Sequence, residues 1–523
     1  TGMYIPAGSY GLVLSYNRIS GIHQWTAPIK ENNIDVMSSA LSVRPLSTKV
    51  DDVYIAGILL SPSSSIGYTF KWLDSYIPFK SECNLCNDSS IPLLLTENSS
   101  FSTLSSTVEI DGNGSVYSIY MVYGGQYGNI SNLAITKFTE GLPQLLVFEV
   151  NNDMVAVYGS AIDTSHYGRN EWLYVVGSMN SNSLLVKQYQ LDGTTGWSVT
   201  YDVTSMFSNS GDASGNMILS NATFYTLTGE DAVVDSDHNI MVVGYLRNIV
   251  NGKMSTFVCK LDVSTGTVLW VREYSDYDRG YSITVKSSHF YIAGAKNNSH
   301  GFILHANSST GVMYSSRIFG SEGGVTLATD VKYGTISDDS NDVLYLVGSS
   351  NVDLSNLNFE SPSTERIWIS RLNEIDLSDE WGEIKMYGSL RKVATWAGAV
   401  EIRRDGSAVV IGATESIEGQ DVSCGTIQSC MDIPLSVGKS GLVLSYNIDG
   451  EHKWTTPVQQ VFGDVIISNV AIEDTESIGE IISIVGTQTT GYSSNTFVAQ
   501  WKDAYIPKNK HCKNYNKKEN KNN

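Results

Sequence analysis

The stretch Thr228-Gly-Glu-Asp-Ala-Val-Val-Asp235-Ser-Asp-His-Asn239-Ile-Met-Val-Val-Gly244 continues through Thr256-Phe-Val-Cys-Lys-Leu261 into Asp262-Val-Ser-Thr-Gly266-Thr-Val-Leu-Trp270. Ala232 to Val234 and Ile240 to Gly244 are short apolar runs on either side of an Asp/Asn-rich turn, which reads as a strand-turn-strand hairpin. Thr256 to Leu261 is a third, alternating strand, and the Thr265-Gly266 turn leads into a fourth that carries Trp270. Nothing in the stretch repeats at the helical period of 3.6. The expectation is one unit of four antiparallel strands.

The unit recurs along the chain. A short apolar strand ending in glycine appears at Ile55-Ala-Gly57, Val122-Tyr-Gly124, Val175-Val-Gly177, Val242-Val-Gly244, Ile292-Ala-Gly294, Leu346-Val-Gly348, Val410-Ile-Gly412 and Ile484-Val-Gly486. Such spacing suits four strands plus loops of varying length, and each such strand is expected to pack close to a neighbour. The tryptophan tail returns in Gly11 to Trp25 and Gly441 to Trp454, and more loosely around Trp197 and Trp381. The predicted fold is therefore all-β: a β-propeller with about seven or eight four-stranded antiparallel blades.

At these residues the chain resembles a known family. The order Asp-x-Asp-x-Asn, apolar-apolar-Gly, Phe-Val-x-Lys-Leu-Asp and Thr-Gly-x-x-x-Trp resembles SBBP-type β-propeller repeats, and the Thr265-Gly266 to Trp270 part is similar to the blade signature of quinoprotein-like propellers. Residues 228–275 carry the match best, with insertions at about 80–105, 350–366 and 415–440. The resemblance implies an extracellular propeller and no particular reaction. A quinone cofactor is implied by part of it only, and the adjacent cysteine pair of many such enzymes has no counterpart here.

A longer repeat joins the two ends. Met3-Tyr-Ile-Pro6, Gly11-Leu-Val-Leu-Ser-Tyr-Asn17, Trp25-Thr-Ala-Pro28 and Tyr76-Ile-Pro78 with Cys83 match Met431-Asp-Ile-Pro434, Gly441-Leu-Val-Leu-Ser-Tyr-Asn447, Trp454-Thr-Thr-Pro457 and Tyr505-Ile-Pro507 with Cys512. The terminal segments are copies. The expected division is an N-terminal half-blade over 1–30, a propeller over 31–458, a partial blade over 459–507 homologous to 31–78, and a basic flexible tail over 508–523. The half-blade holds two outer strands, Gly11, Leu12, Val13, Leu14, Ser15, Tyr16 and Asn17 with the strand around Trp25, and a lone hairpin is marginal. It is expected either to close its own ring or to complete a blade of another copy, so that the expected partners are copies of the chain arranged head to tail or other extracellular matrix or surface components.

Composition narrows the partners. With 34 Lys+Arg against 54 Asp+Glu the net charge is −20, which opposes binding to nucleic acid. No apolar run reaches the ~18 residues of a membrane helix, so no span is expected. The first residues show no signal peptide, and compartment is read from chemistry: the sequons at Asn87, Asn98, Asn113, Asn129, Asn221, Asn297 and Asn307 point to a secreted glycoprotein bearing N-linked glycans. Cys83, Cys86, Cys424, Cys430 and Cys512 lie in loop-like sequence as disulfide candidates, whereas Cys259 sits in a strand and reads as a buried free thiol.

No Walker loop, nucleophile elbow, His-Glu-x-x-His or dinucleotide fingerprint is present, so no catalytic residue is assigned. Cys83-x-x-Cys86 lacks the second pair of a zinc site. Asp235, Asp237 and Asn239 place oxygens at alternate positions and are the calcium candidate, with an Asx-stabilised turn as the alternative reading; no other cofactor is expected. These features favour a secreted, glycosylated structural protein, a self-assembling or tandem propeller of an extracellular filament, surface coat or adhesive layer. The alternative is an extracellular propeller that binds a ligand or carbohydrate at its central mouth. A propeller hydrolase or oxidoreductase ranks third.

Overall fold

The computed structural model describes residues 11–16, 23–29, 35–45, 51–61, 64–73, 93–96, 102–123, 131–139, 142–149, 155–163, 171–180, 182–208, 222–335, 342–352, 354, 365–388, 394–416, 421–422, 433–434, 438–458, 464–475, 479–490 and 493–503. Five strands come first: β1 (Gly11–Tyr16), β2 (His23–Ile29), β3 (Asp35–Pro45), β4 (Asp51–Ser61) and β5 (Ser64–Leu73). Next is the short β6 (Leu93–Thr96). Blade 1 is β7 (Ser102–Ile110), β8 (Val116–Tyr123), β9 (Ser131–Thr139) and β10 (Leu142–Glu149). Blade 2 is β11 (Val155–Asp163), β12 (Trp172–Met179), β13 (Ser183–Gln190) and β14 (Thr195–Tyr201), followed by the one-turn helix α1 (Val203–Phe207). Blade 3 is β15 (Tyr225–Val234), β16 (Ile240–Asn248), β17 (Met254–Leu261) and β18 (Val268–Tyr274).

Blade 4 follows as β19 (Arg279–Lys286), β20 (His289–Lys296), β21 (His300–Asn307) and β22 (Met313–Phe319). Blade 5 is β23 (Thr326–Thr335), β24 (Asp342–Ser350), β25 (Arg366–Leu372) and β26 (Lys385–Tyr387). Blade 6 is β27 (Thr395–Ile402), β28 (Ala408–Ser416), β31 (Gly438–Tyr446) and β32 (His452–Val458), with the small ladder of β29 (Asp421–Val422) and β30 (Ile433–Pro434) inserted within it. Blade 7 has the order β33 (Asp464–Thr475), β34 (Gly479–Thr490), β35 (Ser493–Asp503) and β6. The fold is thus an all-β propeller of seven four-stranded antiparallel blades.

The recurrent glycine has one structural reason. In blade 3, Gly229 pairs with Gly244 and the next pair is Asp231 with Val243, so Glu230 bulges out of the innermost strand. A Cβ on Gly244 would stand 1.9 Å from the Thr228 carbonyl oxygen, and the same clash with the innermost strand arises at Gly177, Gly294 and Gly348. In these blades glycine lets the second strand lie close against its bulged neighbour. Gly412 sits likewise opposite Ala397, next to the bulge of blade 6. In blade 1 the residue opposite the bulge is Tyr120, paired with Ser105, while Gly124 lies outside the described residues.

The Thr-Gly-x-x-x-Trp tail is explained by contact between blades. Gly266 takes a left-handed turn at φ 71°, where glycine is favoured. A Cβ there would also meet the Trp197 ring of blade 2 at 2.8 Å. Trp197 donates its indole N–H to the Val263 carbonyl in the same turn at 2.9 Å. Trp270 on Gly311 and Trp381 on Gly450 repeat the contact around the ring. Between these outer latches and the centre, facing blades bury wedges of aliphatic side chains. Val176, Val186, Leu227, Val242 and Phe257 fill the one between blades 2 and 3, all fully buried. Each such side chain contributes about 1.5–3 kcal/mol by leaving water.

The chain divides into two compact units, residues 1–100 with 473–482 and 498–523, and residues 101–472 with 483–497. In the first, β1 and β2 form a two-stranded sheet, and β3, β4 and β5 a three-stranded one. The β1–β2 register sets Gly11 opposite Ile29 and Tyr16 opposite His23, with an irregularity at Ser15/Tyr16. In the second unit β31–β32 sets Gly441 opposite Val458 and Tyr446 opposite His452, irregular at Ser445/Tyr446. The copied sequences have copied backbones. None of the described helices is long and apolar enough to cross a membrane.

Candidate functional site: the central channel

The bulges aim side chains at the propeller axis. Ser106, Tyr158, Glu230, Tyr281, Thr329 and the Gly398-Ala399 pair each stand at the irregularity of their innermost strand. All of them line one cavity of about 310 Å³, together with Ser468 of β33. The whole lining belongs to the second unit. The glycine signature therefore creates the channel indirectly, by making room for the bulge that turns a residue inward.

Polar residues just beyond the bulges form a hydrogen-bonded belt. Asn469 donates its Nδ2–H to Thr107 Oγ1 at 2.8 Å, which fastens blade 7 to blade 1. Thr107 and Ser160 hydroxyls meet at 2.9 Å, and Ser160 donates to Glu109 Oε1 at 2.7 Å. Asp231 of blade 3 accepts from the Ile283 amide of blade 4 at 3.0 Å. Asp330 of blade 5 accepts from Ser282 of blade 4 at 2.5 Å and from the Val400 amide of blade 6 at 2.7 Å. These bonds satisfy polar groups that the ring removes from water.

The cavity is short of positive charge. Glu109, Glu230, Asp231, Asp330 and Glu401 line it. Two cations answer them. Lys332 pairs with Glu401 at 2.9 Å. Arg279 donates to Glu230 through Nη2 at 2.7 Å while its guanidinium lies over the rings of Tyr245 and Tyr281. Burial pushes the Asp231 carboxyl up to about 7, and neighbouring Asp330 adds to the shift against the opposing Ile283 amide. Burial also raises Glu109, Glu230 and Asp330, partly offset by Lys332 for Glu109 and Asp330 and by Arg279 for Glu230. Burial works against the charge on Lys332, yet Glu401, Asp330 and Glu109 hold it protonated well above the usual lysine range. Carboxylates crowded in a poorly solvated space favour either protons or a bound cation.

The structure places the sequence candidates away from this channel. Asp235, Asp237 and Asn239 form the β15–β16 turn: Asp235 Oδ1 accepts the amides of Asp237 at 2.9 Å and Asn239 at 3.0 Å. Its other oxygen pairs with the buried Lys260 ammonium at 2.5 Å, and Lys260 reaches Asp237 at 3.5 Å. Among the described residues no group of three His, Cys, Asp or Glu side chains converges as a metal site. Asn113 and Asn297 stand in exposed turns. Asn307 closes its own turn, accepting the Ser309 amide at 2.9 Å and donating to Tyr314 at 2.7 Å. Asn87, Asn98, Asn129, Asn221, Asn17, Cys83, Cys86, Cys424, Cys430 and Cys512 lie outside the described residues, as does the tail 508–523. Cys259 is a buried free thiol, and burial raises its pKa.

Sequence reasoning did not find the channel residues, because the residue type at that backbone position varies from blade to blade, serine, tyrosine, glutamate, threonine or glycine. A signal exists: in blade 3 the residue before the bulge pairs with the recurrent glycine, so the lining residue is one step past that partner across the hairpin.

No protein-family model and no curated relative matches the sequence. Solved structures match only at low similarity. A protein of unknown function from Dyadobacter fermentans is 8% identical with a TM-score of 0.41, over 79% of this chain and 98% of that one. A subtype N10 neuraminidase-like protein of a little yellow-shouldered bat isolate from Guatemala is 8% identical with a TM-score of 0.33, over 78% and 97%. The dihydro-heme d1 dehydrogenase NirN is 11% identical with a TM-score of 0.32, over 69% and 73%.

Proposed function

We propose that this chain is a binding propeller whose central channel takes a small hydrophilic ligand bearing positive charge, such as an amino sugar or a short hydroxylated amine. The observation that carries the reading is one cavity lined by five carboxylates and by Lys332, which is held by Glu401, while Arg279 is held by Glu230 at its edge. A third positive group supplied by a ligand would relieve like-charge crowding, and Tyr158 in the lining suits a sugar ring or an ammonium. The cavity is at the small end of ligand sites, which suits a ligand of one or two rings.

Calorimetric titration of the full chain with a panel of amino sugars, neutral sugars and amines tests this. The expected result is binding of the charged members alone, weakened by salt, strengthened as pH rises through about 7 where Asp231 ionises, and lost in the Glu109→Gln, Glu401→Gln double variant. Heats for neutral sugars equal to those for amino sugars, or no heat from any charged member, would overturn it. Consumption of the ligand would move the chain among the enzymes.

A second reading, favoured by the matching hairpins β1–β2 and β31–β32, is a secreted and glycosylated scaffold, a tandem or self-assembling propeller in a filament, coat or adhesive layer. The SBBP-like blade signature and the exposed sequons at Asn113 and Asn297 support it. Electron microscopy of unreduced native material separates the readings: regular filaments with one propeller per step favour the scaffold, isolated rings the binding module.

A further inference from the structure

The hairpins β1–β2 and β31–β32 share one backbone but differ at one edge. Strand β31 is paired on both sides, with β32 and with β28, where Leu442 stands opposite Gly412 and Leu444 opposite Val410. Among the described residues β1 pairs with β2 alone. Its other edge, over Gly11–Tyr16, carries backbone N–H and C=O groups in the geometry that β31 uses to bind a further antiparallel strand. Exposed edges are normally blunted by charge, proline or a bulge. Gly11-Leu-Val-Leu-Ser-Tyr16 has no Lys, Arg, Asp, Glu or Pro, and its one irregularity lies at the far end.

We propose that β1 is a self-association strand: two copies of this chain pair β1 with β1, antiparallel about a two-fold axis, to make the four-stranded sheet β2-β1-β1-β2. The second copy is the occupant for three reasons. The same edge of the sister strand is already an interface, the β31–β28 ladder of blade 6. The chain carries a net charge of −20, which disfavours contact between two copies through most surfaces, whereas two uncharged β1 strands meet without that cost. Two half-blades also restore four strands, the number in each of the seven blades. An antiparallel pairing of one strand with itself is isologous and closes at a dimer. Strand addition of this kind takes its affinity from main-chain hydrogen bonds.

The test uses the full chain, under reducing conditions and without ligand, so that neither the loop cysteines nor the channel contributes. Native mass spectrometry over a dilution series is expected to show a dimer that halves in mass on dilution. Hydrogen exchange is expected to show the amides of Gly11–Tyr16 protected in the dimer and exchanging in the monomer. Val13→Lys sets two like charges beside the axis and should return the chain to a monomer at the concentration where the parent is dimeric, with the dimer partly restored by salt. A parent that stays monomeric, a dimer whose 11–16 amides exchange as fast as the monomer's, or a dimer that Val13→Lys leaves intact overturns the proposal. If Val13→Lys does not fold, the exchange comparison on the parent decides alone.

Discussion

The two copies of one segment, β1 to β5 and β31 to β35, show how much of a blade is written locally and how much comes from its surroundings. Their hairpins keep the same partners in the same order, and β3–β4 repeats the bulge of the ring's innermost strands, with Ser38 opposite Gly57 and then Ala40 opposite Ala56. Among the positions where they differ, one bears on ring closure. Counted from the shared Asp-Val of Asp35-Val36 and Asp464-Val465, Ala40 stands where the second copy has Asn469. Asn469 is the group that fastens blade 7 to blade 1. The backbone was copied and the fastening was not, so the two segments are equivalent as strands and unequal as ring closers.

Matched substitutions test that inequality. The largest effect is expected at the recurrent glycine. A Cβ on Gly486 would stand 2.5 Å from the Ile466 carbonyl oxygen and 2.5 Å from the Phe497 ring, and both are held by the ladder and core of the blade. Gly486→Val should lower ring stability by about 3 kcal/mol or more, beyond ordinary overpacking because the clash includes backbone. The matched Gly57→Val should leave the ring's melting transition in place. Equal loss from both would show that the copies are coupled. Leu444, fully buried between blades 5 and 6, is the next step. Leu444→Ala should cost about 2–5 kcal/mol, and Leu14→Ala should again spare the ring, as read by denaturant midpoints of the two variants.

A smaller effect belongs to the position where the copies differ. Asn469→Ala gives the second copy the residue of the first and leaves the buried Thr107 hydroxyl with Ser160 as its remaining partner. The expected loss is about 1–2 kcal/mol, accompanied by faster hydrogen exchange in β7 and β33, the two strands that the bond joins. An unchanged midpoint would mean that the Asn469–Thr107 bond does not contribute to closure.

The same contrast explains what could be read from the sequence. Apolar-apolar-Gly and Thr-Gly-x-x-x-Trp were legible because the glycine, the bulge and the latch recur at fixed local offsets, as Gly244, Glu230 and Trp270 show in one blade. The blade count settled at seven because β1–β2 is a sheet of its own and blade 7 takes β6 as its fourth strand, a pairing across some 400 residues that no local pattern announces. The channel was illegible for a related reason. Ser106, Tyr158, Glu230, Tyr281 and Thr329 share a backbone position but no common residue type, so their joint chemistry exists only once the ring brings them to one cavity.

The position after the bulge also carries the smallest expected effect. It is Asp231 in blade 3, Asp330 in blade 5, Asn469 in blade 7 and Ala40 in the first copy, a series that runs from charged to apolar on one backbone site. Asp231 is held near 7 in the fold, while an unfolded aspartate ionises near 3.9. A carboxyl raised in this way contributes stability that is fully present below the unfolded value and is lost as pH rises through the folded one. Asp231→Asn removes that titration and also disturbs the bond to the Ile283 amide, which adds a pH-independent offset. The informative quantity is therefore the change in the gap between parent and variant: the variant should gain on the parent by about 1 kcal/mol between pH 6 and pH 7, roughly one pKa unit's worth of free energy. A gap that stays constant across that range would mean that Asp231 is already ionised in the folded ring, and the shortage of positive charge in the channel would lose its clearest consequence.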